Sequence, residues 1–389
     1  MTFPNVQNLR LWTNEEFLNL LDEDFHHSAT PLSIIPNFNF ITGVPLDYLH
    51  AVCLGVTRSI INTWVGSQRT HQCKLPASVI ILLSNKLTSL SSYIPCEFNR
   101  KPRSFVEVKR WKGTEFRQFL LYTGPVILQE SIRALNKGAE IYSHFLCLFI
   151  PMFILLNPNL CHKYQNYARD LLVHFVRKTK SLYGEKYLTH NFHCLLHIAD
   201  DVSTFGPLDN CSPFKFENYL QTFKKHIRKG SKPLQQVVKR ITEQMETSLH
   251  EFKDSNLGSN IYHFGQHCNG PMLNLCDPFR QYNGIKLTQF KLTTSRADSF
   301  CYLRNGSIFK IRNISFAVNS DNLMLIGQKS VQQESFFGHP YIDSAHLGIF
   351  IISLAEDLTS ISATEILQKG VVFPYKDKLV VFPLIHTSK

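Results

Sequence analysis

Two short stretches hold the residue types that phosphoryl-transfer chemistry uses. In Asp47-Tyr48-Leu49-His50 a carboxylate and an imidazole stand three residues apart, and on a helix that spacing puts both on one face. In SPFKFENYLQTFKKHIRK, residues 212 to 229, one carboxylate, Glu217, stands among Lys224, Lys225, Arg228 and Lys229. Two-metal phosphodiester chemistry needs carboxylates to hold Mg²⁺ while nearby cations hold the phosphate backbone. Each stretch also has a plain reading. An acid in the first turn of a helix gains roughly 0.3–1 kcal/mol from the macrodipole when exposed. Asp is a common helix opener, and an isolated His is usually packed or solvated. A third constellation, His193, His197 and Asp201 at i, i+4 and i+8, is a conceivable zinc face, but it lacks the glutamate of the H-E-x-x-H pattern and suits a polar seam between helices equally well.

The elements that must position these residues are mostly helical. Thr13 and Glu16 form a capping box ahead of an acidic helix over about 14–26. Residues 28–46 read as extended and deliver a strand towards Asp47, where a helix opens through VCLGVTRSIINTWV. Further helices are expected over 77–90, from about Lys112, over 125–156, over 160–183 ending at Gly184, from about Leu188 with His190, His193 and His197 on it, and over 234–252. The helix of Glu217 starts after Ser212 and Pro213. Its Phe216, Leu220, Phe223 and Ile227 recur at helical spacing and are expected to be buried. Residues 254–290, rich in Gly, Asn, Pro and Ser, read as a linker; His263, His267, Cys268 and Cys276 in it match no zinc module. From Ser299 the pattern turns to short strands, with a hairpin at Asn305-Gly306, and five to seven strands suggest a small barrel or sandwich.

Composition narrows the setting. The chain has 389 residues, 44% hydrophobic and 18% charged, which suits two or three folded domains. The net charge of +11 resides in two places: residues 99–117 hold seven Lys or Arg against two acids, and residues 216–240 hold seven against one. Such concentration suggests a polyanionic partner. In the first stretch Arg100, Lys101, Arg103, Lys109, Arg110 and Lys112 alternate with Phe105 and Trp111, as in a strand or loop that touches phosphates while aromatic rings pack beneath or stack on bases; a solvated basic face is the alternative. The longest apolar run, Phe145–Leu156, has twelve residues and contains Pro151, too short to cross a bilayer. Ten cysteines without a C-x-x-C pair, and no secretory signal in the first residues, lead us to expect a nuclear or cytoplasmic protein.

Taken in order, PLDYLHAVCLGV, EFNRKPRSFVEVKRWKGTEFRQFLLYTGPVIL, LYGEKYLTHNFHCLLHIADDVSTFGPL and SPFKFENYL resemble the transposase-like proteins of animal genomes related to the CACTA, Mirage and Chapaev cut-and-paste elements. The resemblance runs from about Pro31 to Met245. It implies an RNase-H-like fold in which two aspartates and one glutamate hold two Mg²⁺ or Mn²⁺ ions. Asp47, with His50 beside it, matches the second aspartate, and Glu217 matches the glutamate. On this likeness residues 76–200 are a helical insertion in the core. The first aspartate has no match, because Asp22 and Asp24 lie in the helix expected from Thr13; the chain therefore resembles the C-terminal part of such an enzyme.

These readings give an α+β chain: an N-terminal helix and arm over 1–30, a helical RNase-H-like remnant over 31–253, a linker over 254–290 and a β-rich domain over 291–389. They give a transposon-derived, DDE-type protein that retains DNA binding and lacks independent catalysis. Asp47, Glu217 and His50 are the catalytic set, Asp47 and Glu217 the metal ligands, with weak or no metal binding in this chain. Arg100, Lys101, Arg103, Lys109, Arg110, Lys112, Lys224, Lys225, Arg228 and Lys229 are the DNA contacts. The competing readings are an active transposase with its upstream part missing from the gene model, and a host interaction protein with no DNA role. A homo-oligomer fits the family, since such transposases pair two DNA ends.

Overall fold

Burial is heaviest where the sequence offers no polar face at all. Residues Gly138–Leu156 form a helix, here α6, that is long and apolar enough to cross a membrane, yet 83% of its most apolar window is buried inside the protein. It is a core helix, and the helices around it complete one of two compact units. The computed structural model describes residues 2–3, 10–66, 72–133, 135–251 and 261–385. Unit 1 comprises residues 1–89 and 102–211, and unit 2 residues 90–101 and 212–389.

Unit 1 is helical, and none of its described residues forms a strand. Its α-helices are α1 (Asn14–Leu18), α2 (Arg58–Val65), α3 (Ala77–Ser89), α4 (Gly113–Gln118), α5 (Gly124–Ile132), α6, α7 (Gln165–Tyr183), α8 (His190–Cys194) and α9 (Ile198–Phe205). Two π-helical segments, Leu49–Thr57 and Phe119–Thr123, run directly into α2 and α5. The capping box of Thr13 and Glu16 is present, but α1 stops at Leu18, well short of the expected 26, so Asp22 and Asp24 lie in the loop and turn beyond it and not in a helix as expected. Residues 28–46 form a 3₁₀ turn, Pro31–Ile34, and bends, so the strand expected to lead to Asp47 is not formed. The helix expected over 125–156 is broken into α5 and α6. Lys137 takes a left-handed conformation there, and a Cβ on Gly138 would meet the Ile132 carbonyl oxygen at 1.6 Å, so only glycine fits.

Inside unit 1, α6 lies against α7, and Trp64 of α2 donates from Nε1 to the Tyr183 hydroxyl at 3.1 Å. His144 is 3% exposed, stacked on Phe175, and donates from Nε2 to the Phe175 carbonyl oxygen at 3.1 Å. Burial, with His174 and Lys178 nearby, pushes its pKa down to about 3.

Beyond residues 90–101, unit 2 holds helices α10 (Pro213–His226) and α11 (Pro233–Glu251) and continues into ten antiparallel strands. They are β1 (Tyr262–His267), β2 (Cys276–Lys286), β3 (Lys291–Thr293), β4 (Phe300–Leu303), β5 (Ile308–Ala317), β6 (Leu323–Ser335), β7 (Phe350–Leu354), β8 (Thr359–Ser362), β9 (Ile366–Tyr375) and β10 (Lys378–Pro383). Strands β4, β5, β6, β7, β10 and β9 pair in a closed ring, a six-stranded barrel to which β2 adds on β5, β1 and β3 on β2, and β8 on β6. Closure removes most free edges, and both strand faces are buried: Cys301 and Leu303 enter one apolar cluster, Phe300 and Tyr302 the other. The Asn305-Gly306 turn forms as expected, with Gly306 at φ 82.

The expected linker over 254–290 holds two strands, β1 and β2. The first is an edge strand, exposed along almost its whole length, so it lacks the alternation that marks a strand in sequence. Residues 252–260 lie outside the described residues.

The His144 environment predicts an acid-sensitive unit 1. Its folded pKa lies below the unfolded value, so the unfolded chain takes up a proton as pH falls through 6.5 while the folded chain does not until about 3. This one group should lower stability by about 2 kcal/mol between pH 6.5 and 5. His144→Gln should flatten the dependence of the denaturant midpoint on pH across that window; an unchanged slope would contradict the assignment.

Candidate functional site

Asp47 and His50 meet as their spacing requires. The Asp47 Oδ1 accepts the His50 backbone N–H at 3.0 Å, and its Oδ2 accepts from His50 Nδ1. Asp47 thus caps the helical turn that opens at Tyr48 and runs into the π-helix, while its second oxygen orients the imidazole. Between them Tyr48 and Leu49 are each 1% exposed, which turns the pair outwards: the Asp47 side chain is 35% exposed and that of His50 56%. The Arg117 guanidinium lies 5.9 Å above the Tyr48 ring and donates to Asp209 at 2.5 Å. Just upstream, the Leu46 N–H donates to Asp201 Oδ2 at 2.7 Å. Gly55, within the π-helix, leaves room for the His50 carbonyl oxygen, which a Cβ there would meet at 2.8 Å. A carboxylate-oriented imidazole of this kind can position a phosphate or relay a proton.

The residues of the conceivable zinc face do not come together. The helix breaks between Cys194 and Ile198, which separates His193 from Asp201, and Asp201 is spent on Leu46. His193 and His197 lie ring against ring, 5.1 Å apart, and burial holds both imidazoles below their ordinary pKa. In unit 2, His263 packs on Tyr282, His267 Nδ1 accepts the Asn269 N–H at 3.2 Å, and Cys276 is buried on β2.

The first basic stretch is largely consumed by its own protein. Phe105–Arg110 is a 3₁₀ helix rather than a strand, because Phe105, Val108 and Trp111 recur every three residues and all three are buried. With Phe105 at 1% and Trp111 at 5% exposure, neither ring can stack on a base. Arg103 makes a bidentate pair with the buried Glu115, at 2.5 and 2.7 Å, and also donates to the Arg110 carbonyl oxygen. Arg110 pairs with Glu107 at 3.8 Å, and Lys101 donates to the Ile94 carbonyl oxygen at 2.6 Å. Arg100, Lys109 and Lys112 are exposed.

The second basic stretch is open. Helix α10 starts at Pro213 as expected, but its apolar stripe is not buried: Phe216 is 66% exposed, Leu220 54% and Ile227 39%. Among the described residues of unit 2 no element covers Phe216 or Leu220. Gln236 of α11 ties the connecting turn, accepting from the Arg228 and Lys229 N–H groups and donating to the Lys229 and Ser231 carbonyl oxygens. Lys224, Lys225, Arg228 and Lys229 are exposed, and among the described residues none of them pairs with a carboxylate. Glu217 is exposed on the same helix. It belongs to unit 2, and Asp47 to unit 1.

Unit 2 also holds a charged cluster that sequence reasoning missed. Lys369 on β9 is fully buried. Its ammonium donates to Glu97 at 2.7 Å, Asp298 at 2.5 Å and the Lys291 carbonyl oxygen at 2.6 Å. Cys96, Glu97 and Asp298 form the one group among the described residues whose ligand atoms lie close enough to share a metal ion. The donor set does not fit one. Lys369 already supplies the cation between both carboxylates. The available signal was a lone lysine inside the apolar strand run ILQKGVVFPY.

Two stability outcomes follow. Asp47→Ala, which leaves the His50 N–H uncapped, should cost about 1 kcal/mol by urea unfolding, and His50→Ala clearly less; equal losses would contradict the capping role. Lys369→Met leaves two buried carboxylates without their cation and should cost roughly 3–5 kcal/mol, against which a loss near zero in guanidinium unfolding would count.

Comparison with known proteins adds one match: the model of a domain of unknown function (DUF8592) matches residues 266–384, which span the end of β1 to β10. No curated protein and no solved structure matches the chain.

Proposed function

We propose that this is a transposon-derived protein of DDE-type ancestry that binds DNA through the α10–α11 hairpin and does not cleave it unaided. The observation that supports DNA binding is the row of exposed cations Lys224, Lys225, Arg228 and Lys229 on a turn fixed by Gln236. Exposed cations free of carboxylate partners can replace counterions on a phosphate backbone. The ancestry rests on the resemblance of the D-x-x-H and F-x-F-E stretches, and the oriented Asp47–His50 pair suits descent from a metal-holding acid with its helper. On this reading Asp47 and Glu217 are remnants of a Mg²⁺ or Mn²⁺ site. The absence of unaided cleavage rests on the resemblance, in which the first aspartate finds no match among these residues, and a unit of this kind fails when any member is lost. Nuclear residence and pairing of two copies belong to the same proposal.

The test is fluorescence anisotropy of a short duplex at graded salt. Affinity should be independent of sequence and fall steeply with salt. Replacing Lys224, Lys225, Arg228 and Lys229 by alanine should reduce the slope of log K against log salt by up to about 3–4. Arg103→Ala should leave that slope unchanged, because its guanidinium is committed to Glu115. Absence of binding at low salt would overturn the proposal and favour a host interaction role.

A further inference from the structure

We propose that the acidic arm of residues 10–26 docks onto the α10–α11 hairpin of a second copy of this chain. The arm exposes Leu11, Leu18, Leu21 and Phe25 at 43–65%, and an open groove of about 620 Å³ on it is lined by Trp12, Leu21, Glu16, Asp22, Glu23 and Asp24. Five acids stand there against the one base Arg10. The hairpin is the opposite surface. Phe216, Leu220, Leu234, Val238 and Met245 are 54–79% exposed, and residues 213–245 hold eight Lys or Arg against two Glu.

Apolar side chains clustered in this way on two surfaces call for a cover, and charge decides which. Hairpin against hairpin sets two strongly basic surfaces together, and arm against arm sets two acidic ones; either costs energy. Arm against hairpin joins opposite charges and buries apolar groups from both sides. Each copy carries one arm and one hairpin. The contact is heterologous: two copies close into a ring if both contacts form at once, and otherwise the assembly extends. Lys224, Lys225 and Arg228 serve the hairpin in both roles, so this inference goes beyond the DNA reading and makes DNA a competitor of the arm.

Sedimentation velocity on the full chain at about 50 mM and about 500 mM salt tests it. The chain should self-associate at low salt, and its apparent Kd should rise at least about tenfold at high salt. Reversing the arm (D22K/E23K/D24K) or the hairpin (K224E/K225E/R228E) should each weaken self-association about tenfold or more. Mixing the two variants should restore a complex, because the mixture again offers an acidic arm to a basic hairpin and a basic arm to an acidic one. That restoration also shows that both variants are folded. As a second pair, Leu21→Ser and Leu220→Ser should weaken association at both salt concentrations. A monomer at every salt concentration, association indifferent to both reversals, failure of the mixture to recover, or binding of DNA or anionic vesicles by a chain that stays monomeric would each overturn the proposal.

Discussion

The buried ammonium of Lys369 is the constraint around which unit 2 is built. A charge with no solvent exposure survives only when neighbours replace its hydration, and here Glu97, Asp298 and the Lys291 carbonyl oxygen do so. Glu97 lies far upstream, in a chain excursion, residues 90–101, that leaves the helical unit after Ser89 and re-enters it at Pro102. Its Oε1 also accepts the Lys291 N–H at 2.9 Å, and Asp298 Oδ1 accepts the Cys96 N–H at 3.0 Å. The excursion therefore belongs to the barrel, with Tyr93 against one of its apolar clusters and the Arg296 guanidinium over the Tyr93 ring. The segment matched by the domain of unknown function contains Lys369 and Asp298 but not Glu97, so the match is narrower than the physical unit.

Net charge in this protein is a poor guide to exposed field until its partners are counted. Two stretches with nearly equal excess of Lys and Arg have opposite fates. In the first, Arg103 is spent on a buried carboxylate, Arg117 on Asp209 and Lys101 on a backbone carbonyl oxygen, so much of the charge is structural. In the second, Lys224, Lys225, Arg228 and Lys229 stand exposed on the hairpin, and among the described residues none of them pairs with a carboxylate. Long-range attraction of a polyanion depends on charge of the second kind.

What was legible in the sequence was local. The α+β division, the capping box at Thr13 and Glu16, the start of α10 at Pro213, the end of α7 at Gly184 and the hairpin at Asn305-Gly306 all depend on residues within a few positions of one another. The Asp47–His50 contact was legible for the same reason. What was not legible is set by distant partners. Lys369 is buried because Glu97 and Asp298 reach it, and β1 and β2 form because β5 offers an edge. The stripe on α10 had the right period for burial but, among the described residues of its unit, nothing to bury it, which periodicity cannot report.

That last mismatch bears on function more than the matches do. A stripe of Phe216, Leu220 and Ile227 beside a row of cations is a costly surface to leave open if phosphate were its sole target, because DNA backbone gives apolar groups little to bury against. Cations alone explain affinity that fades with salt. Apolar contact explains affinity that persists when salt screens the charges. An acidic partner with its own exposed apolar groups uses both halves of the hairpin, whereas a bare duplex uses one. On the proposed reading the two partners therefore differ in what salt leaves behind: rising ionic strength removes the duplex first and the protein arm second, so the hairpin's occupant is set by the balance of charge and apolar area rather than by charge alone.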